Sequence, residues 1–181
     1  MLLTGRYSTD VDQAASLTDQ VLRVLDCYAQ RLSVMVAGWL RVGYVQSNFN
    51  SDNCLASGRT MDYGPFGFVE RFQSDWVMWT GGGEKFGFLN QPGAAFANYL
   101  TFASALAPLL EEDAIPRAQE AVDAFRPLVE ATVNEMWAAK LGLLPHAEVY
   151  PSRSSNGRPS SHMHPANPRI LWTRSHTHVS G

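Results

Sequence analysis

The sequence is poor in lysine, in cysteine and in long apolar runs, and each shortage argues against a class of protein. Lysine occurs only at Lys85 and Lys140, and the formal net charge of the 181 residues is -3. The charge therefore gives no electrostatic reason to expect nucleic acid or an anionic membrane as a partner. Cys27 and Cys54 are the only cysteines and form no CxxC pair, which argues against a disulfide framework or a zinc ribbon. No run of about 18 apolar residues is present, so no membrane span is predicted.

The composition predicts one globular domain of ordinary size. Hydrophobic residues make up 45% of the chain and charged residues 17%, a balance that can support a real core. The first residues, Met1–Arg6, lack the long apolar region of a secretory signal and are not basic enough for a transit peptide. The sequence itself therefore indicates no cellular location.

Three stretches space their apolar residues by three and four, which is typical of amphipathic helices. The first covers about residues 10–40, as one long helix or two short ones, and its period ends at Gly43. The second begins at Asn90-Gln91-Pro92, and the third runs from about residue 113 to 141. Pro127 lies inside the third and is expected to kink or split it. The prediction is a mainly α fold, followed by a low-complexity tail over residues 145–181 that reads as disordered.

Acidic and amide side chains cluster in the stretch Asn48–Asn53, with the sequence NFNSDN. Oxygen ligands crowded in this way suit a hard divalent cation such as Mg2+. Further along, Ser57-Gly58 predicts a tight turn between two short strands, 54–56 and 59–61. That β-hairpin would bring Asp52 and Asn53 towards Asp62. The sequence therefore predicts a metal–phosphate site in this region.

Other interpretations of the cluster fit less well or explain only part of it. An EF-hand calcium loop would need glycine and glutamate where Asn53 and Arg59 stand. Asparagine and aspartate are also common in turns, because their side chains bond nearby backbone amides. Asp62-Tyr63-Gly64 has the D-x-G form of a kinase metal site, but the H-R-D-x-x-x-x-N signature of an ordinary protein kinase is absent. Phosphoryl or nucleotidyl transfer remains as the functional hypothesis.

Four motifs resemble landmarks of the selenoprotein O family. Val42–Asn53 is similar to its VGF-x-x-G-x-x-NTDN segment, and Asp62–Phe68 matches its DYGPFGF. Asn90–Pro92 matches its NQP motif, and within Met136–Leu143 the run KLGL matches the end of its M-x-x-KLGL motif. The order and spacing of the motifs agree over about residues 17–144.

The resemblance implies a function and assigns roles to three residues. Residues 1–144 would be a partial protein-kinase-like catalytic C-lobe. The family transfers AMP from ATP to Ser, Thr or Tyr hydroxyls of proteins. Asp52 is implied to be the proton acceptor, with Asn53 and Asp62 as Mg2+ ligands and Asp62 also near the nucleotide phosphates. A mitochondrial or plastid location is compatible with the family alone.

The sequence also departs from the family pattern. Residues 1–41 contain no lysine and no glycine-rich loop, whereas the family has both in its N-lobe. The glycine-rich run Thr80–Lys85 fits neither common phosphate-binding template and is interpreted as a surface loop. The chain is therefore interpreted as a fragment of the catalytic C-lobe that is inactive alone. The alternative is a non-catalytic helical binding module that retains a remnant of the fold.

Overall fold

The computed structural model describes residue 10, residue 12 and residues 14–61 and 64–143. Three α-helices and one pair of strands form its main regular elements, and short 3-10 turns lie between them. The main elements are α1 (Leu17–Val42), β1 (Tyr44–Gln46), β2 (Phe66–Phe68), α2 (Gln91–Leu106) and α3 (Ile115–Lys140). The predicted mainly α fold with a short antiparallel strand pair is confirmed at this level. The kinase-like assignment and the domain boundary at residue 144 stay predictions, and the predicted tail lies outside the described residues.

The first helix is continuous and begins and ends with capping geometry. The Ser16 hydroxyl accepts a hydrogen bond from the Asp19 amide at 3.1 Å, which satisfies a free amide of the first turn. At the other end Gly43 adopts a left-handed conformation with φ of 77°, the usual way for glycine to end a helix. The end predicted at Gly43 is confirmed, and the helix is one element and not two.

The three helices share an aromatic core. The rings of Tyr99 and Phe125 stack with centroids 4.6 Å apart, and Tyr28 meets Phe102 at 4.5 Å. These contacts join α1, α2 and α3, because each helix contributes at least one ring. Cys27 is buried on the same helix as Tyr28 and forms no disulfide.

The third helix is not split at Pro127, although the sequence predicted a kink or a split there. It runs unbroken from Ile115 to Lys140, although proline removes a backbone donor from the helix interior. Pro127 is exposed, while Phe125 and Val129 on either side of it are buried. Apolar packing on both sides of the proline therefore holds the helix together.

Among the described residues, no helix combines the length and the apolar character that a membrane crossing requires.

The strand pair lies elsewhere than predicted. β1 pairs antiparallel with β2, with Tyr44 opposite Phe68 and Gln46 opposite Phe66, whereas residues 54–56 and 59–61 form no strands. The turn at Gly58 does exist, since its amide donates to the Leu55 carbonyl at 2.9 Å. The predicted hairpin around it is wrong because this segment packs on α1. A Cβ at Gly58 would lie only 2.4 Å from Cβ of Arg31.

Candidate functional site

The strand pair holds together the two ends of the loop that carries the cluster. Ser47 donates its amide to the Pro65 carbonyl at 3.0 Å, just beyond the last paired residue of β1. Gly64 and Pro65, which follow Asp62-Tyr63 in the sequence, thus lie next to the start of Asn48–Asn53. Asp62 itself lies outside the described residues, so its predicted proximity to Asp52 and Asn53 stays a prediction.

Phe49 fixes the middle of the loop to the core. Its side chain is fully buried, and its ring meets the Trp39 ring of α1 edge-on at 4.8 Å. Its carbonyl accepts a hydrogen bond from Asn98 Nδ2 of α2 at 3.1 Å. The residues on either side of Phe49 are consequently held at the surface over α1 and α2.

Two of the asparagines in the loop serve the loop itself. The Asn50 side chain accepts a hydrogen bond from the Asn53 amide at 3.2 Å and donates to Asn48 Oδ1 at 3.0 Å. These bonds cap the short 3-10 turn Ser51–Asn53. The local hydrogen bonding that makes asparagine common in turns therefore accounts for Asn48 and Asn50.

Asp52 and Asn53 differ from these two residues, because each keeps an oxygen available. Asp52 is exposed, and its carboxylate has no hydrogen bond or ion pair in the described part of the chain. Asn53 donates Nδ2 to the Asn48 carbonyl at 3.0 Å, which leaves its Oδ1 as an open acceptor. A carboxylate and a carboxamide oxygen in sequence are hard ligands that fit Mg2+. The described residues contain no group of three or more His, Cys, Asp and Glu side chains placed to hold a metal, so further ligands would have to come from Asp62 or from a substrate.

Cys54 follows the turn but is not built as a nucleophile. Its Sγ shares a hydrogen bond with Tyr28 Oη at 3.0 Å. Burial raises the pKa of the Cys54 thiol, although hydrogen bonds to Tyr28 and Asn98 act in the opposite direction. A thiol with a raised pKa is protonated at neutral pH and reacts slowly.

A cavity opens between the loop and α2. Its volume is ≈ 510 Å³, and Asn50, Ser51 and Lys85 are among the side chains that line it. Lys85 is exposed and lies over the Phe86 ring, 4.6 Å from its centroid. The Thr80–Gly82 turn precedes it, with Thr80 exposed, in agreement with the predicted surface loop.

Two buried amides that support the loop were not recognised in the sequence as site residues. In the sequence Gln91 stands out only as part of a helix start, and Asn98 belongs to none of the motifs. Asn90, at the N-terminal end of α2, makes no capping hydrogen bond with its side chain and instead donates Nδ2 to the Glu84 carbonyl at 2.7 Å. Gln91 and Asn98 are polar residues on a face of α2 that is otherwise apolar. This contrast was the signal in the sequence that could have identified them.

Comparison with known proteins identifies the family. The family model described as protein adenylyltransferase SelO matches residues 6–164. The chain belongs to the SelO family. The resemblance drawn from the DYGPFGF and NQP motifs is thereby confirmed.

Curated relatives of this chain are named as nucleotidyltransferases. It is 42% identical over 123 residues to the protein nucleotidyltransferase YdiU of Xanthomonas euvesicatoria pv. vesicatoria (strain 85-10), covering 65% of the chain and 23% of that relative. It is 40% identical over 134 residues to the YdiU protein of Xanthomonas campestris pv. campestris (strain 8004), covering 73% and 26%. The chain therefore spans about a quarter of the length of the curated relatives that it matches.

Proposed function

We propose that this chain carries the base and metal part of a protein adenylyltransferase site. The observation that supports this most directly is the division of labour in the loop. Asn48 and Asn50 bond within the loop, whereas the Asp52 carboxylate and Asn53 Oδ1 accept no hydrogen bond from the described residues. Membership of the SelO family supplies the reaction class.

The proposed reaction transfers AMP from ATP to a Ser, Thr or Tyr hydroxyl of a protein. The hydroxyl oxygen forms a bond to the α-phosphorus of ATP, and the bond from that phosphorus to the bridging oxygen of the pyrophosphate breaks. The Asp52 carboxylate accepts the hydroxyl proton, a role for which its exposure and lack of an ion pair suit it. Pyrophosphate leaves with the electron pair of the broken bond.

Asn53 and Asp62 are the proposed ligands of Mg2+, and Asp62 is also proposed to lie near the phosphates of ATP. Mg2+, when bound, supplies positive charge beside the phosphate oxygens. A hydrogen bond restricts the Asn53 side chain, because its Nδ2 donates to the Asn48 backbone carbonyl. Because the nitrogen makes this bond, Asn53 Oδ1 stays available to act as a ligand.

We expect the 181-residue chain alone to show negligible AMP transfer. Its two lysines both follow Asp62 in the sequence, whereas the family pattern places an ATP-binding lysine ahead of the metal loop. The proposed kinase-like C-lobe would thus supply the base and the metal ligands, and ATP would need contacts beyond them. Labelled AMP on a target protein with this chain alone, lost on Asp62→Ala, would show this expectation to be wrong.

A chimera tests the role of Asp52. In it, residues 17–143 replace the matching segment of the YdiU protein of Xanthomonas campestris strain 8004, and transfer of labelled AMP is measured. Asp52→Asn keeps the size of the side chain but removes the base, so transfer should fall by about 10²- to 10⁴-fold. Asp113→Asn, an exposed carboxylate before α3, is the matched control and should leave the rate unchanged. Equal rates for the chimera with and without Asp52→Asn would contradict the assignment.

Calorimetry with Mg2+ and with Mg2+–ATP separates this proposal from a non-catalytic helical binding module. We expect binding of Mg2+ to the unsubstituted chain, and weaker binding after Asn53→Ala, because that change removes the carboxamide oxygen. A chain with its full helical circular dichroism signal and no binding of Mg2+ or Mg2+–ATP would favour the module.

A further inference from the structure

The second helix turns a polar face towards the loop. Gln91 and Asn98 are buried, with 0% and 5% of their surfaces exposed. They lie seven positions apart in α2, which places them about two turns apart on one side of the helix. Ala94 and Ala95 lie between them and are also buried, so small side chains let the helix approach β1 and the loop closely.

Gln91 takes the place of a neighbouring strand along the open edge of β1. The other edge bonds to β2, since the Val69 amide donates to the Gly43 carbonyl at 2.9 Å and the Ser47 amide to the Pro65 carbonyl at 3.0 Å. The backbone N–H and C=O groups of Tyr44 and Gln46 consequently point away from β2, towards the open edge of β1. At that edge Gln91 Oε1 accepts a hydrogen bond from the backbone amide of Gln46 at 3.0 Å, and Gln91 Nε2 donates to the Tyr44 backbone carbonyl at 2.9 Å.

Asn98 makes the equivalent contact further along the same segment. Its Nδ2 donates to the Phe49 carbonyl at 3.1 Å in a buried setting. The two amides thus hold the chain at Tyr44, Gln46 and Phe49, directly before the turn that carries Asp52 and Asn53. An apolar side chain at either position would remove these hydrogen bonds from a buried setting, which is costly.

We propose that Gln91 and Asn98 are positioning residues for the reaction proposed above. Their side-chain amides hold the segment from Tyr44 to Phe49, and this fixes where the Ser51–Asn53 turn presents the Asp52 carboxylate and Asn53 Oδ1. The inference rests on the proposed function for its catalytic meaning. The geometric part, a loop held by two amides of α2, can be tested separately.

The test uses the full chain with Gln91→Leu, Asn98→Leu and Asn98→Asp. Asn98→Asp keeps the size and polarity of the side chain but removes the donor to the Phe49 carbonyl, so it serves if the leucine variants do not fold. Asn90→Ala is the matched control, because Asn90 is exposed at the same helix start and its side chain bonds only to the Glu84 carbonyl among the described residues. Hydrogen exchange of the amides in residues 44–54 and in residues 118–129 of α3 is followed by mass spectrometry. Mn2+ affinity is measured by electron paramagnetic resonance.

The expected result is local. Exchange in residues 44–54 should rise at least about tenfold in the variants, because these amides lose the contacts that hold the loop, while α3 stays protected. Mn2+ affinity should fall by about 10- to 100-fold, as is usual when a residue supporting a metal ligand is removed. Asn90→Ala should change neither quantity.

Other outcomes separate the two proposals. A rise in exchange that is equal in α3 would mean that the amides serve only global stability, and would overturn the inference. Unchanged loop protection together with unchanged Mn2+ affinity would also overturn it. Faster loop exchange in the variants, with no Mn2+ binding by the unsubstituted chain, would support the positioning of the loop and overturn the proposed function.

Discussion

At the scale of single residues, the loop uses one residue type for two purposes. The Asn48 and Asn50 side chains bond to each other, and the Asn50 side chain also accepts from the backbone amide of Asn53. Asn53 donates its Nδ2 hydrogen to the Asn48 carbonyl and keeps its Oδ1 free. Local turn chemistry and a metal site were competing interpretations of the sequence. In the structure the first accounts for Asn48 and Asn50, and the second is proposed for Asp52 and Asn53.

Phe49 provides a test of how the loop is attached. Phe49→Ala removes a fully buried ring that packs on Trp39, so the free energy of unfolding should fall by about 3–5 kcal/mol. Phe72→Ala is the control, since that ring is 74% exposed and its loss should change stability by less than about 1 kcal/mol. Urea unfolding followed by circular dichroism measures both. Similar losses for the two variants would show that Phe49 does not anchor the loop.

At the scale of elements, local sequence signals set the helix ends more reliably than the strands. Gly43 ends α1 because it adopts a left-handed conformation, and its position is tight, since a Cβ there would lie only 2.9 Å from Val69 Cγ2. The strands depend instead on which segments meet. Residues 54–61 contain the turn that was predicted, but they lie against α1, and the pairing passes to β1 and β2.

Two glycines of the same region should respond to alanine in opposite directions. Gly43→Ala places a side chain in a left-handed conformation against Val69 and should destabilise the fold by about 1–3 kcal/mol. Gly38 lies inside α1, and a Cβ added there would meet nothing within 4 Å. Gly38→Ala should therefore stabilise the fold by about 0.5–1 kcal/mol, through helix propensity. Thermal unfolding of the two variants side by side measures the difference, and a loss of stability in Gly38→Ala would contradict this account of α1.

At the scale of the whole described fold, buried groups that ionise at high pH make the stability of the core depend on pH. Burial raises the pKa of the Cys27 and Cys54 thiols and of the Tyr99 hydroxyl. All three groups are neutral when protonated. Cys54 bonds to Tyr28 of α1 and to Asn98 of α2, and the Tyr99 hydroxyl of α2 donates to the Leu25 carbonyl of α1. The core thus favours the protonated form of each group.

This predicts a loss of stability at alkaline pH. Each group has a higher pKa in the folded chain than in the unfolded chain, so the folded state holds its protons more tightly. The stabilising contribution is fully present below the unfolded thiol pKa of about 8.5 and is lost as the pH rises through the folded values. The urea midpoint should fall between pH 7 and pH 10, and less so in a Cys27→Ala, Cys54→Ala double variant. A midpoint that stays constant over this range would contradict the prediction.

The helices, the family and the residue types of the site follow from the sequence, because each depends on local spacing or on a short motif. Apolar residues three and four apart produce α1, α2 and α3 in any compact setting, and DYGPFGF and NQP are read directly. The roles of Gln91 and Asn98 could not be read in this way. Their partners, Gln46 and Phe49, lie 45 and 49 positions away, and only the packing of α2 against β1 and the loop brings them together. The same holds for the strand pairing and for the free oxygens of Asp52 and Asn53, since a side chain is left open only when the folded chain has satisfied its neighbours.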